Sequence, residues 1–182
     1  MLSPGEIRQL RLTKDWEEMK KIVSPAIRWV GQGTPPYRYD VTYHIRSIIE
    51  VDSKSGTPIY RDEHKVIIEI PSGYPYSGES IIAKMANDCS PIFHPNFWTG
   101  GLICIWGNGN TTLGPNETVA MVCTRIALLI QFDQYLTQEA HKANPEAAEW
   151  YAKNKNSGFF PTDKQLIPLP AAVDEDDFFI NS

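Results

Sequence analysis

The sequence predicts an α+β fold, and three observations predict it. An N-terminal stretch carries helix-start chemistry and places apolar residues every three or four positions. Three strand stretches follow, the first of them clearly alternating, with short turns between them. Two further helical stretches come after a long irregular segment. Sequential strands joined by short turns pair as an antiparallel meander, because parallel neighbours need a long crossover. The expected order is an N-terminal helix, a meander sheet, a loop and C-terminal helices.

Ser3 and Glu6 have the spacing of a capping box, and Pro4 suits the first helical position, where a missing N–H costs nothing. Leu12, Trp16, Met19 and Val23 recur at helical spacing, so a helix is expected from Pro4 to about Val23, stopped before Pro25. Arg8, Arg11, Lys14, Lys20 and Lys21 make it basic in a chain of net charge −5. Such a face is either simply solvated or a docking surface for an acidic partner.

From Tyr37 to Glu50 the pattern alternates, with Tyr39, Val41, Tyr43 and Ile45 on one face and Asp40, Thr42, His44 and Arg46 on the other. That is a half-buried strand. Asp52-Ser53-Lys54-Ser55-Gly56 is turn chemistry, and strands are expected at Ile59 to Ile70 and from about Ser80 to Asn87. From Cys89 to Asn116 no periodicity remains. The stretch is rich in Gly, Pro and Asn and carries Trp98 and Trp106. Long irregular segments inside compact domains are usually functional. Asn116 is the expected cap of a helix from Glu117 to about Tyr135, and Asn144 with Pro145 starts another that ends near Gly158. One domain is expected over residues 1–160. An extension over 161–182 carries an acidic tail at Asp174, Glu175, Asp176 and Asp177.

With 42% hydrophobic and 21% charged residues, the chain has the composition of a globular domain and not of a disordered one. The acidic balance argues against sequence-blind nucleic-acid binding, which wants a basic surface. The longest apolar run, Val119 to Ile130, is too short for a membrane span and contains Arg125. The first sixteen residues lack the apolar core of a secretory signal, and three irregularly spaced cysteines make no disulfide framework. The expectation is a cytoplasmic, reducing setting, with neither nucleic acid nor membrane as partner.

The chemistry concentrates in Pro91 to Asn96 and Gly101 to Ile105. Cys104 is a candidate nucleophile, because even a small thiolate fraction attacks carbonyls and thioesters well; the alternative is a buried small hydrophobe. Cys89 and Cys123 take that second role, Cys123 because it lies in an apolar helical stretch. Asn96 offers an amide that either stabilises an oxyanion or braces a loop. His94 is a base, a ligand or a structural hydrogen-bonder. The spacing of Cys89, His94, Cys104 and His141 matches no compact zinc signature, and no metal or cofactor is expected. A cysteine hydrolase would need His94 or His141 as base beside Cys104. Trp106-Gly107-Asn108-Gly109-Asn110 lacks the Gly-Lys-Ser/Thr ending of a phosphate loop and reads as a rim beside the site.

His94-Pro95-Asn96, then Gly101, then Ile103-Cys104, resembles the active-site signature of ubiquitin-conjugating enzymes, the carrier enzymes of the ubiquitin cascade. Ile70 to Tyr76 is similar to the family's Tyr-Pro-Phe turn. Leu113-Gly114-Pro115 lies where the family usually has Trp-Ser-Pro, and Asn144 to Asn154 resembles the start of its penultimate helix. The likeness covers roughly Ile7 to Phe160. Ser77-Gly78 replaces the usual Pro-Pro, and the family's acidic Pro-Asn-Pro-Asp-Asp stretch is absent, with Gln138, Glu139 or Asp133 in its neighbourhood. These departures fit a divergent member, of the kind found in bacterial ubiquitin-like conjugation operons, some of which act in phage defence.

The resemblance implies a ubiquitin-conjugating-enzyme-like fold and a thioester carrier. Cys104 would take a ubiquitin-like protein from an activating enzyme, and a target lysine would then displace it. Asn96 would stabilise the oxyanion or hold the loop, with His94 and Pro95 as scaffold. Arg8, Arg11 and Lys14 would face the activating enzyme, and Tyr76 and Pro115 a ligase where one exists. The alternative is a module of the same fold that binds a ubiquitin-like partner without carrying it.

Overall fold

The computed structural model describes residues 2–74, 79–105, 118–137 and 143–169. Helix α1 spans Pro4–Lys20 with the expected capping box: the Ser3 side chain accepts the Glu6 N–H, and the Glu6 carboxylate takes the Ser3 N–H at 2.7 Å. It ends three residues early. Val23 is 85% exposed, so its place in the apolar series was accidental, while Leu12 and Met19 are buried.

The main sheet is antiparallel in the order β1-β2-β5-β6: Ile27–Gly33, Pro36–Tyr43, His64–Glu69 and Ile82–Met85. A small second sheet pairs β3, Ser47–Val51, with β4, Pro58–Arg61. Two corrections follow. β1 occupies a stretch for which the sequence predicts no element. The two long strands expected at 37–50 and 59–70 are each broken, at residues 44–46 and 62–63. The breaks lie level with one another, since Tyr43 pairs with His64 and Ser47 with Arg61. A hydrogen-bonded cluster around the buried His64 sits at this bend. Arg61 donates to His64 Nδ1 at 2.9 Å and to the Ser90 carbonyl and hydroxyl at 2.7 and 2.6 Å. The other His64 ring nitrogen meets the Arg61 carbonyl at 3.0 Å.

Tyr39, Val41, Tyr43 and Ile45 are fully or almost fully buried, as the alternation requires. With Val66, Ile68, Ala83 and Met85 they form the sheet's inner face. Each Val, Ile and Met among them contributes roughly 1.5–3 kcal/mol of apolar burial. On the outer face Arg38 pairs with Asp40 and Glu69, and Lys84 with Glu69.

Helix α2, Val119–Ile130, packs into this core with nine of its twelve residues buried, and the Tyr43 hydroxyl donates to the Cys123 carbonyl at 2.9 Å. Its cap is Thr118, whose hydroxyl accepts the Met121 N–H; the expected cap, Asn116, lies outside the described residues. Helix α3, Pro145–Asn154, starts on Asn144, whose side chain accepts the Ala147 N–H. Beyond it, Thr162 donates to the carbonyls of Gln131 and Arg46, and Gln165 donates to the Gln131 side chain. The chain is thus tied to the body as far as Gln165. Among the described residues no helix is long and apolar enough to cross a membrane.

Candidate active site

Residues 91–105 form no long element, yet hydrogen bonds tie most of the stretch down. The Phe93 N–H donates to the Ile48 carbonyl at 2.8 Å, which starts the loop from β3. The Phe97 N–H turns back onto the His94 carbonyl at 3.0 Å. Trp98 to Gly101 then make a tight turn, closed by Gly101 N–H to Trp98 carbonyl at 2.8 Å and by Trp98 N–H to Leu102 carbonyl at 2.9 Å. Gly101 holds φ 91, a left-handed conformation that costs glycine little. The returning arm lies along β6, where Met85 N–H meets the Gly101 carbonyl and Ile103 N–H the Ala83 carbonyl.

This small hairpin makes the spacing meaningful. It brings Asn96 and Cys104, eight residues apart, directly across from each other. The Cys104 N–H donates to the Asn96 carbonyl at 2.8 Å, and Asn96 Nδ2 donates to the Cys104 carbonyl at 3.1 Å. Asn96 is 1% exposed, and its Oδ1 has no hydrogen-bond partner among the described residues. Cys104 is 8% exposed.

His94 lies fully buried beside them. Its Nδ1 accepts the Asn96 N–H at 3.0 Å, its Nε2 stands 3.3 Å from the Thr137 hydroxyl, and its ring meets Phe97 and Phe132 at centroid distances of 5.2 and 4.3 Å. Both ring nitrogens are therefore engaged away from the thiol, which suits scaffolding better than base catalysis. Pro95 is buried, and its carbonyl accepts the Asn144 N–H at 3.3 Å, which ties the loop to the cap of α3. Arg125, the one charged residue of α2, donates from Nε to the Ile105 carbonyl at 2.7 Å, one residue beyond Cys104.

The other cysteines differ in kind. Cys123 is fully buried, and burial pushes its thiol up to about 12 against a smaller opposing effect of the Tyr43 hydroxyl. Cys89 is half-buried, with its sulfur 3.4 Å from the Lys65 N–H. Among the described residues no group of three or more metal-ligating side chains comes together.

No protein-family model matches the sequence, and no curated protein matches it. Solved structures do. One described as a novel ubiquitin-conjugating enzyme superposes with a TM-score of 0.55 at 18% identity, over 84% of this chain and 89% of that chain. The chain has the ubiquitin-conjugating-enzyme fold. A structure of human ubiquitin-conjugating enzyme E2 G1 matches 71% of this chain and 98% of its own length, at 19% identity and a TM-score of 0.48.

In this ubiquitin-conjugating fold, α1 is less basic than its sequence suggests. Arg11 is buried and ion-paired with Asp15, Lys20 pairs with Glu17, and Lys21 with Glu18. Arg8 donates to the carbonyls of Ile70 and Tyr74 at 3.3 and 3.4 Å, and the Arg11 guanidinium lies over the Tyr74 ring at 5.6 Å. Both arginines thus hold the 70–74 turn, and Lys14 is half-buried. Asp15, fully buried, accepts the Val119 N–H at 3.0 Å and joins α1 to the start of α2; burial raises its pKa against the pull of Arg11. Asp133 accepts the N–H groups of Tyr135 and Leu136, which closes a turn after α2. Tyr76, Pro115, Trp106, Gln138, Glu139 and His141 lie outside the described residues. Thr137, Phe132 and Asp15 were not foreseeable as site or hinge residues. Arg125 carried a signal, a lone charge in an apolar helix.

Proposed function

We propose that this chain is a thioester carrier for a ubiquitin-like protein. The Cys104 thiolate attacks the C-terminal carbonyl of the ubiquitin-like protein, held as a thioester on an activating enzyme. A new carbon–sulfur bond forms as the enzyme's thiolate leaves. A target lysine amine then attacks the Cys104 thioester. The isopeptide bond forms, the Cys104 thiolate departs, and the amine's proton goes to solvent. The single observation that carries this reading is the paired backbone of Asn96 and Cys104, with the Asn96 amide on the Cys104 carbonyl, inside a ubiquitin-conjugating fold.

Asn96 Nδ2 has two protons and the Cys104 carbonyl uses one. The other serves the developing oxyanion, an interaction worth about 3 kcal/mol of barrier in well-studied hydrolases. His94 and Pro95 hold the loop. Arg8, Lys14 and the turn that Arg8 and Arg11 brace form the face offered to the activating enzyme. Tyr76 and Pro115 belong to a ligase-facing edge where a ligase takes part. The departures from the family pattern favour a bacterial conjugation system and, through it, a defence role.

The test is direct. Incubate the protein with a cognate activating enzyme, ubiquitin-like protein and ATP, and compare non-reducing with reducing gels. The expected result is a thiol-sensitive adduct that Cys104→Ala abolishes and Cys89→Ala keeps. One observation favours a second reading: Cys104 is only 8% exposed, less than Cys89. A non-carrying module of the same fold would bind the ubiquitin-like protein and form no adduct.

A further inference from the structure

The site loop is held from behind by a turn that nothing in the signature includes. Thr137, 7% exposed, faces His94 Nε2 at 3.3 Å; His94 Nδ1 takes the Asn96 N–H at 3.0 Å; Asn96 Nδ2 reaches the Cys104 carbonyl at 3.1 Å. We propose that Thr137 is a positioning residue: its hydroxyl anchors the Nε2 edge of His94, whose tautomer the Asn96 N–H sets, and through that ring holds the placing of Asn96 against Cys104.

The chemistry of the contacts dictates the direction. A backbone N–H only donates, so His94 Nδ1 is bare. A neutral imidazole then carries its proton on Nε2, and the Thr137 hydroxyl oxygen accepts it. The ring is fully buried against Phe97 and Phe132, where an unmade hydrogen bond is costly. The Thr137 turn is itself locked. Thr137 N–H donates to the Asp133 carbonyl at 2.9 Å, and the Asp133 carboxylate accepts from Tyr135 and Leu136. Phe132 stands at φ 59, a left-handed conformation unfavourable for a bulky residue, and its ring lies on His94. Such strain persists only where surrounding contacts enforce it, and it clusters at functional sites.

The catalytic consequence rests on the carrier function proposed above; the tautomer does not, so the two are tested separately. Nitrogen-15 imidazole spectra of the wild type are expected to show His94 protonated on Nε2. Thr137→Val, nearly isosteric, is expected to shift the His94 signals, and Thr137→Ser to restore them. In single-turnover transfer from preformed thioester to free lysine, Thr137→Val is expected to slow the reaction about fivefold, the size of one hydrogen bond, with Thr137→Ser near wild type. A wild-type His94 protonated on Nδ1, or His94 signals unchanged in Thr137→Val, overturns the proposal. Equal transfer rates for wild type and Thr137→Val overturn its catalytic part. His94 signals shifted by Thr137→Val, together with a wild type that never forms a thioester, uphold the positioning and instead refute the carrier.

Discussion

Acidification below neutral should destabilise this fold through one buried ring, His64. Burial first and the Arg61 guanidinium second pull its pKa down from 6.5 to about 4. The neutral ring accepts from Arg61 at Nδ1, so protonation both strips that acceptor and sets two cations side by side in the bend. The unfolded chain binds the proton near pH 6.5 and the folded chain near 4, so the stabilisation is complete above about pH 6.5 and is lost as pH falls toward 4. The full difference of about 2.5 units corresponds to roughly 3 kcal/mol, and the part lost by pH 5 to about 2 kcal/mol. Urea denaturation at pH 7 and pH 5 reads this, with His64→Gln as control for the carboxylates that titrate in the same range. The wild type should lose about 2 kcal/mol more than His64→Gln between the two pH values. Equal losses in both proteins, or a His64 titration midpoint near 6.5 by NMR, would refute the reasoning.

Three further outcomes are expected. Asp15→Ala removes the acceptor of the Val119 N–H and the carboxylate partner of buried Arg11, so chemical denaturation should show a loss of about 3 kcal/mol; a change within about 0.5 kcal/mol of zero, the size of a surface substitution, contradicts it. Asn96→Ala should slow single-turnover transfer from preformed thioester on the order of a hundredfold or more, and a wild-type rate would remove Asn96 from the chemistry. Cys123, fully buried with its thiol near 12, should resist a thiol reagent at pH 8, where its thiolate fraction is roughly one in ten thousand, until the protein unfolds; modification of the native protein at Cys123, followed by peptide mapping, would contradict that.

The parts of the fold legible in the sequence are those written by local rules. The capping box of α1 and the Asn144 cap of α3 are local hydrogen bonds between neighbours, and both are present. Tyr39, Val41, Tyr43 and Ile45 alternate because one sheet face is buried. That same alternation hid the bend, since Ile45 points inward within the break as its neighbours do on the strand. The break coincides with the Arg61–His64–Ser90 cluster, a contact between segments that no local pattern encodes. Strand β1 is an edge with Gly31 and Gly33 inside it and Val30 exposed on it, so neither propensity nor periodicity marks it.

The site follows the same division. His94, Asn96 and Cys104 meet through a hairpin of a few residues, so their spacing alone encodes the contact. Thr137 reaches His94 across 43 positions, and no local pattern signals it. The charge on Arg11 was legible, but its burial against Asp15 was not, because a residue's sign does not reveal its partner.

The central claim is that the Cys104 sulfur carries the acyl group, and replacing that sulfur by oxygen tests it most directly. Cys104→Ser, loaded with activating enzyme, ubiquitin-like protein and ATP, is expected to accumulate an ester that survives thiol, is cleaved by alkali and maps to residue 104 by mass spectrometry. An adduct found at any other residue, or a wild type that binds the activated partner yet never gains its mass, would contradict the account.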